Sequence, residues 1–207
     1  MFPTDEEAKK TITAICHRMY EKNYVVSNDG NVSLKVGENA LWTTPTNVCK
    51  GDISEEMLVK VDLEGNILSG RLKPSSELKM HLRVYRDNRK VGAAVHAHPP
   101  IATAFACAGL ELAEPILAEA ILKMGKVPLA PYASLGTEKV AEAVAPFLAD
   151  YNVLLLANHG VLTWSEDAWQ SYYLLESVEQ YAKILLYTHL LGKRVPLSEE
   201  EIKFLRK

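Results

Sequence analysis

With 207 residues, 48 % of them apolar, the chain can bury a sizeable core within the usual size of one domain, so residues 1–207 are expected to form a single unit. A formal net charge of −3 and the lack of any lysine-arginine block argue against a nucleic-acid or anionic-membrane partner. The three cysteines, Cys16, Cys49 and Cys107, are scattered and form no Cys-x-x-Cys pair. That pattern points away from a disulfide framework or a thiolate metal site and towards a reduced, cytoplasmic setting. The polar, acidic stretch Met1 to Lys10 does not read as a secretory signal, and no apolar run is long enough to span a bilayer.

Thr4 and Glu7 have capping-box spacing ahead of Ile12, Ile15, Cys16 and Met19, which recur at helical intervals. A helix from Asp5 to about Tyr24 follows, ended by the turn Ser27-Asn28-Asp29-Gly30. Short β-prone pieces come next: Val32-Ser33-Leu34, Ala40-Leu41-Trp42-Thr43, Leu58 to Leu63, and Asn66-Ile67-Leu68, punctuated by Gly37, Pro45, Gly51 and Glu64-Gly65. Ser75 or Ser76 is placed to cap a helix with Leu78, His81, Leu82 and Tyr85 on one face, and Val91 to His98 reads as a buried strand stopped by Pro99-Pro100. Helices through Ile101–Ala108, Thr137–Leu148 and Glu166–Leu191 and a strand Val153–Leu156 complete the body; Gly192 ends the long helix, and Ser198 with Glu201 caps a final turn. The irregular interleaving predicts an α/β/α sandwich around a mixed, largely antiparallel central sheet.

Three constellations carry chemistry. In Val95-His96-Ala97-His98 the two imidazoles, two residues apart on a strand, point to one face and can reach one ion, while Ala97 turns into packing. In Asn158-His159-Gly160 a histidine sits at the end of an apolar strand, and Gly160 permits close backbone approach. Three histidines and one oxygen suit tetrahedral Zn²⁺, although imidazole sites also accept cobalt, nickel or iron. In Lys73-Pro74-Ser75-Ser76-Glu77 the hydroxyls and amides at a helix start form a natural phosphate seat, with Glu77 projecting from the same turn. Gly30-Asn31-Val32-Ser33 and Thr44-Pro45-Thr46-Asn47 offer further donors. Taken singly, each segment is as readily an ordinary turn or cap.

Taken in order, these segments, together with Ala130-Pro131-Tyr132-Ala133 and Gly136-Thr137, resemble the class II aldolase family of the L-fuculose-phosphate aldolase and L-ribulose-5-phosphate 4-epimerase type. The resemblance implies that His96, His98 and His159 bind zinc, that Glu77 completes the metal site and moves protons, and that Asn31, Thr46, Ser75 and Ser76 hold the substrate phosphate. Asn47 stands where the aldolase uses a glycine backbone. The implied function is zinc-dependent cleavage of a phosphorylated ketose to dihydroxyacetone phosphate and an aldehyde, through an enediolate stabilised by the metal, in a homo-oligomer, commonly a tetramer. Glu77 favours this branch, because the epimerase branch typically shows aspartate there. The chain departs from the aldolase in Ile116-Leu117-Ala118-Glu119-Ala120, where a neighbouring subunit's tyrosine is expected; Glu119 is the only proton carrier in that stretch and the candidate second acid/base. Leu135 replaces an aromatic on the aldehyde side. The alternatives are dehydration or 4-epimerisation of a pentulose phosphate on the same metal site, and a non-catalytic module like the adducin head, which predicts an eroded metal site.

Overall fold

The computed structural model describes residues 2–205. In chain order its elements are α1 (Asp5–Glu21), β1 (Asn31–Gly37), β2 (Ala40–Thr43), β3 (Val59–Val61), β4 (Ile67–Ser69), α2 (Leu78–Asp87), β5 (Ala93–Ala97), α3 (Pro100–Cys107), α4 (Ala118–Lys123), β6 (Leu129–Ala130), α5 (Glu138–Val144), β7 (Val153–Leu156), β8 (Gly160–Ser165), α6 (Ala168–Leu190) and α7 (Glu199–Leu205). The strands form one eight-stranded sheet in the order β4-β3-β2-β1-β5-β8-β7-β6. Every neighbouring pair is antiparallel except β6 with β7.

Alternation along the central strands builds a core on each face of the sheet. Val32, Leu34, Ala93, Val95, Ala97, Val153, Leu155 and Val161 face α1, α3 and α6, where they meet Ile12, Ile15, Met19, Phe105, Tyr172, Leu175 and Val178. Ala94, Leu154, Leu156, Leu162 and Trp164 face α2 and α5, against Met80, Tyr85, Val140 and Val144. This is the expected α/β/α sandwich. His96 shares the parity of Ala94, so it enters the α2 side of the sheet, whereas Ala97 packs on the other face as expected.

Local chemistry explains most boundaries. The Thr4–Glu7 capping box opens α1, with Glu7 N donating to Thr4 Oγ1 at 3.2 Å and Thr4 N to Glu7 Oε2 at 2.8 Å. The helix ends at Glu21, short of Tyr24, where Asn23 takes a left-handed conformation. Ser198 and Glu201 form a second capping box at α7. One expectation is corrected. Neither Ser75 nor Ser76 caps α2: Glu77 occupies the cap position without a side-chain cap bond, because Ser75 is drawn into a tight turn in which its carbonyl accepts from Leu78 N at 3.1 Å. Strands β6 and β8 and helix α4 had no counterpart in the sequence reading; β8 was concealed because Asn158-His159-Gly160 looks like the end of a strand rather than a tight link into the next one.

Candidate metal centre

The histidines are placed by adjacent backbone. His96 lies on β5, opposite Asn31 of β1 on one side and Leu162 of β8 on the other. His98 follows the strand end, its backbone N–H donating to the Tyr24 carbonyl at 2.8 Å. His159 closes the β7–β8 hairpin, whose Asn158 is left-handed (φ 56°) and whose Gly160 pairs with Leu156. A Cβ on Gly160 would lie 2.5 Å from both the Ala97 carbonyl oxygen and His98 Cδ2, so the hairpin sits against the site only because that position has no side chain.

These elements bring one nitrogen from each of His96, His98 and His159 within 4.8 Å of one another. His96 Nε2 is 3.1 Å from His98 Nε2. Glu77, at the start of α2, reaches into the same space: its Oε1 is 3.0 Å from His159 Nε2 and its Oε2 is 3.2 Å from His96 Nε2. Asn31 Nδ2 donates to Glu77 Oε2 at 3.0 Å. His96 Nδ1 faces the Val161 carbonyl at 2.9 Å; since a carbonyl only accepts, Nδ1 carries the proton and Nε2 is turned to the cluster. Asp29, which no motif had singled out, places Oδ2 3.5 Å from His98 Nδ1. His81, noted from sequence only as part of a helix face, is buried behind the cluster and bonds Ser33.

The electrostatics follow from crowding. Burial pushes the Glu77 carboxyl up, but His96 and His159 outweigh it and hold the group well below the usual carboxylate range. Burial lowers His96, yet the Glu77 charge prevails and raises it above its ordinary value. His98 is pushed down to about 4 by burial and then by His96 and His159; His159 is lowered chiefly by burial. Three ring nitrogens and a carboxylate converging in a partly desolvated space is a poor arrangement for neutral lone pairs and a good one for a divalent cation. The residues therefore fit a metal, and three nitrogen donors with one oxygen match the preference of zinc-type ions.

Beside Glu77 the structure joins two loops that the sequence had offered separately. Thr46 N donates to Lys73 O at 3.0 Å and Ser75 N to Thr44 O at 3.1 Å, so Thr44–Asn47 and Lys73–Ser76 run as a short antiparallel bridge. Asn47 is left-handed (φ 59°) and its Oδ1 accepts from Asn28 Nδ2 at 3.4 Å. The bridged loops adjoin Glu77 at Ser75, whose Oγ accepts from Glu77 N at 3.3 Å, with Gly136 close to Ser76 and Leu135, exposed, just before Gly136. Glu119 is placed elsewhere. It is exposed on α4 and lines a groove of about 500 Å³ with Lys123, Tyr173 and Glu176 of α4 and α6, and among the described residues it bonds neither Glu77 nor a histidine.

Residues 10–186 match the class II aldolase and adducin N-terminal domain. The chain belongs to the class II aldolase family. Its L-fuculose phosphate aldolase relative from Methanococcus maripaludis is 36 % identical over 179 residues, covering 86 % of this chain and 96 % of that one. The 3-oxo-tetronate 4-phosphate decarboxylase of Escherichia coli (strain K12) is 34 % identical over 194 residues, covering 92 % and 90 %. The crystal structure of YgbL from Escherichia coli, placed in general terms among aldolases, epimerases and decarboxylases, aligns with a TM-score of 0.91 at 32 % identity over 98 % and 99 % of the two chains. Class II aldolases are metal-dependent enzymes of small phosphorylated sugars, and this class II aldolase is an enzyme of the lyase kind.

Proposed function

We propose that the chain is a zinc-dependent aldolase that cleaves a phosphorylated ketose, of the L-fuculose 1-phosphate kind, to dihydroxyacetone phosphate and an aldehyde. The observation that carries this reading is the placement of Glu77 3.0 Å from His159 and 3.2 Å from His96, beside the bridged loops that hold Thr46 and Ser75. His96, His98, His159 and Glu77 would hold the metal, which when bound draws electron density from a ketone oxygen and so eases cleavage of the neighbouring carbon–carbon bond. Asn31, Thr46, Asn47, Ser75 and Ser76 bind the phosphate and orient the reacting carbons. Glu77, ionised at rest, takes up a proton from solvent and delivers it to the carbon that keeps the bonding electrons. Glu119 serves as a second acid/base at the site of a neighbouring copy in a cytoplasmic homo-oligomer, a tetramer.

A second reading is decarboxylation of a phosphorylated 3-oxo acid, the activity named for the Escherichia coli relative. It is favoured by the proton inventory. Retro-aldol cleavage must remove a hydroxyl proton as well as deliver one to carbon, whereas a 3-oxo carboxylate loses carbon dioxide already ionised and needs only the second transfer. Among the described residues, Glu77 is the one carboxylate that meets His96 and His159, and the other acid at the cluster, Asp29, faces His98 Nδ1 at 3.5 Å. Incubation of zinc-loaded protein with L-fuculose 1-phosphate and with 3-oxo-tetronate 4-phosphate decides between them. Dihydroxyacetone phosphate from the first supports the aldolase, carbon dioxide from the second supports the decarboxylase, and equal activity after chelation sinks both.

A further inference from the structure

Helix α2 meets strand β1 through polar groups buried inside an otherwise apolar layer. Glu77 at the cap of α2 and His81 and Tyr85 within it are spaced by four residues, so they follow one face; on the strand, Asn31 and Ser33 are two apart and share a face. Asn31 Nδ2 donates to Glu77 Oε2 at 3.0 Å. The Ser33 hydroxyl lies 2.7 Å from His81 Nδ1 and 2.7 Å from the Tyr85 hydroxyl, which donates to the Ser33 carbonyl at 3.0 Å. Four helical residues advance about 6 Å and two strand residues about 7 Å, so the Asn31–Glu77 and Ser33–His81 rungs keep step, and Tyr85 reaches back one turn to the same Ser33.

Ser33, His81 and Tyr85 are at most 1 % exposed. Burying such groups is costly unless they are bonded, and apolar side chains of similar volume would fill the space without that cost. Apolar contacts have no direction, however, and would leave α2 free to slide or roll on the sheet, whereas short hydrogen bonds fix it. The point matters because the start of α2 has no side-chain cap, and the Glu77 backbone N–H makes only a 3.3 Å contact with Ser75 Oγ. Where the Glu77 carboxylate stands therefore depends on Asn31, on the Ser75–Thr44 bridge just before it and on whatever holds the body of the helix.

We infer that Ser33, His81 and Tyr85 are positioning residues that set the register of α2 on β1 and so hold the Glu77 carboxylate in place among His96, His98 and His159. The inference rests on the reading of those four residues as a metal centre. It is tested on the full chain by measuring zinc affinity through chelator competition, the visible spectrum of the cobalt(II)-substituted protein, and the melting temperature. The variants are Ser33→Ala, Tyr85→Phe, Glu77→Gln and the Ser33→Ala/Glu77→Gln double mutant.

Residues that orient metal ligands typically contribute about 10- to 100-fold in affinity. Ser33→Ala is expected to weaken zinc binding by that order and to shift the cobalt spectrum in the direction that Glu77→Gln does. In the Glu77→Gln background it adds no further change, because the group it positions is already gone. Tyr85→Phe, which keeps the ring packing, moves both readouts the same way by less, and carries the test should Ser33→Ala fail to fold. A lowered melting temperature with unchanged zinc affinity and spectrum, or additive losses in the double mutant, overturns the inference while leaving the metal centre intact. A wild-type protein that binds no zinc overturns the metal centre instead, and a Glu77→Gln variant identical to it in affinity and spectrum removes Glu77 from that centre.

Discussion

Glu77 meets two imidazoles with its two oxygens and an amide with one of them, so its substitutions separate binding from proton transfer. Glu77→Gln is expected to keep zinc on the three histidines at saturating metal but to slow turnover by about 10² to 10⁴, since an amide cannot deliver the proton. His98→Ala should lose metal and activity together; metal analysis and initial rates on each purified variant check the pair. Gly160 makes the same point through shape. An added methyl would meet the Ala97 carbonyl oxygen and the His98 ring carbon Cδ2 at 2.5 Å, so the hairpin or the His98 ring must shift. Gly160→Ala should therefore cost about 1–3 kcal/mol and displace His98, read as a lower urea midpoint together with weaker zinc binding. The candidate roles of these residues follow from motif order; the close approach at Gly160 was expected from the sequence, and the atoms it approaches come from the fold.

Helix α3 begins at Pro99-Pro100, directly after His98, and has no cap of its own. The missing acceptor comes from α6. Glu179 accepts from Ile101 N with both oxygens, at 3.0 and 3.1 Å, and from Ala102 N at 2.8 Å. Its removal would strand buried N–H groups, so Glu179→Ala should destabilise the protein by about 1–3 kcal/mol and Glu179→Gln by less, measured by urea denaturation of the zinc-free protein. No local pattern could reveal this cap, because donor and acceptor lie 78 residues apart. The capping boxes at α1 and α7 were legible for the opposite reason: both partners fall within one turn.

Across the whole molecule, the sandwich places His81 between α2 and the sheet, where burial, aided by His96 and against the attraction of Glu77, pushes its imidazole from 6.5 down to about 3. The unfolded chain then binds a proton that the folded chain refuses between those two values. Stability from this source is complete above about pH 6.5 and is lost as pH falls towards 3. Urea midpoints of the zinc-free protein at pH 7 and pH 5 should differ more for the wild type than for His81→Gln, which cannot protonate; an equal difference would exclude this source. Assembly belongs to the same scale. Glu119 sits on an exposed groove of α4 and α6, so any part it takes in chemistry depends on how copies of the chain meet.

The order and spacing of side chains in the sequence were enough to determine the candidate donor set, the alternation of the central strands, the capping boxes of α1 and α7 and the family, because each depends on neighbours within a turn, on strand alternation, or on the order of short motifs. The tertiary structure alone decided which groups share a space. It set Asp29 against His98, paired the Thr44–Asn47 loop with Lys73–Ser76, locked α2 to β1 through Ser33, and left Glu119 on another face. Those juxtapositions arise from strand register and helix docking over long separations, and register is selected by the packing of the whole sheet rather than by any segment in it.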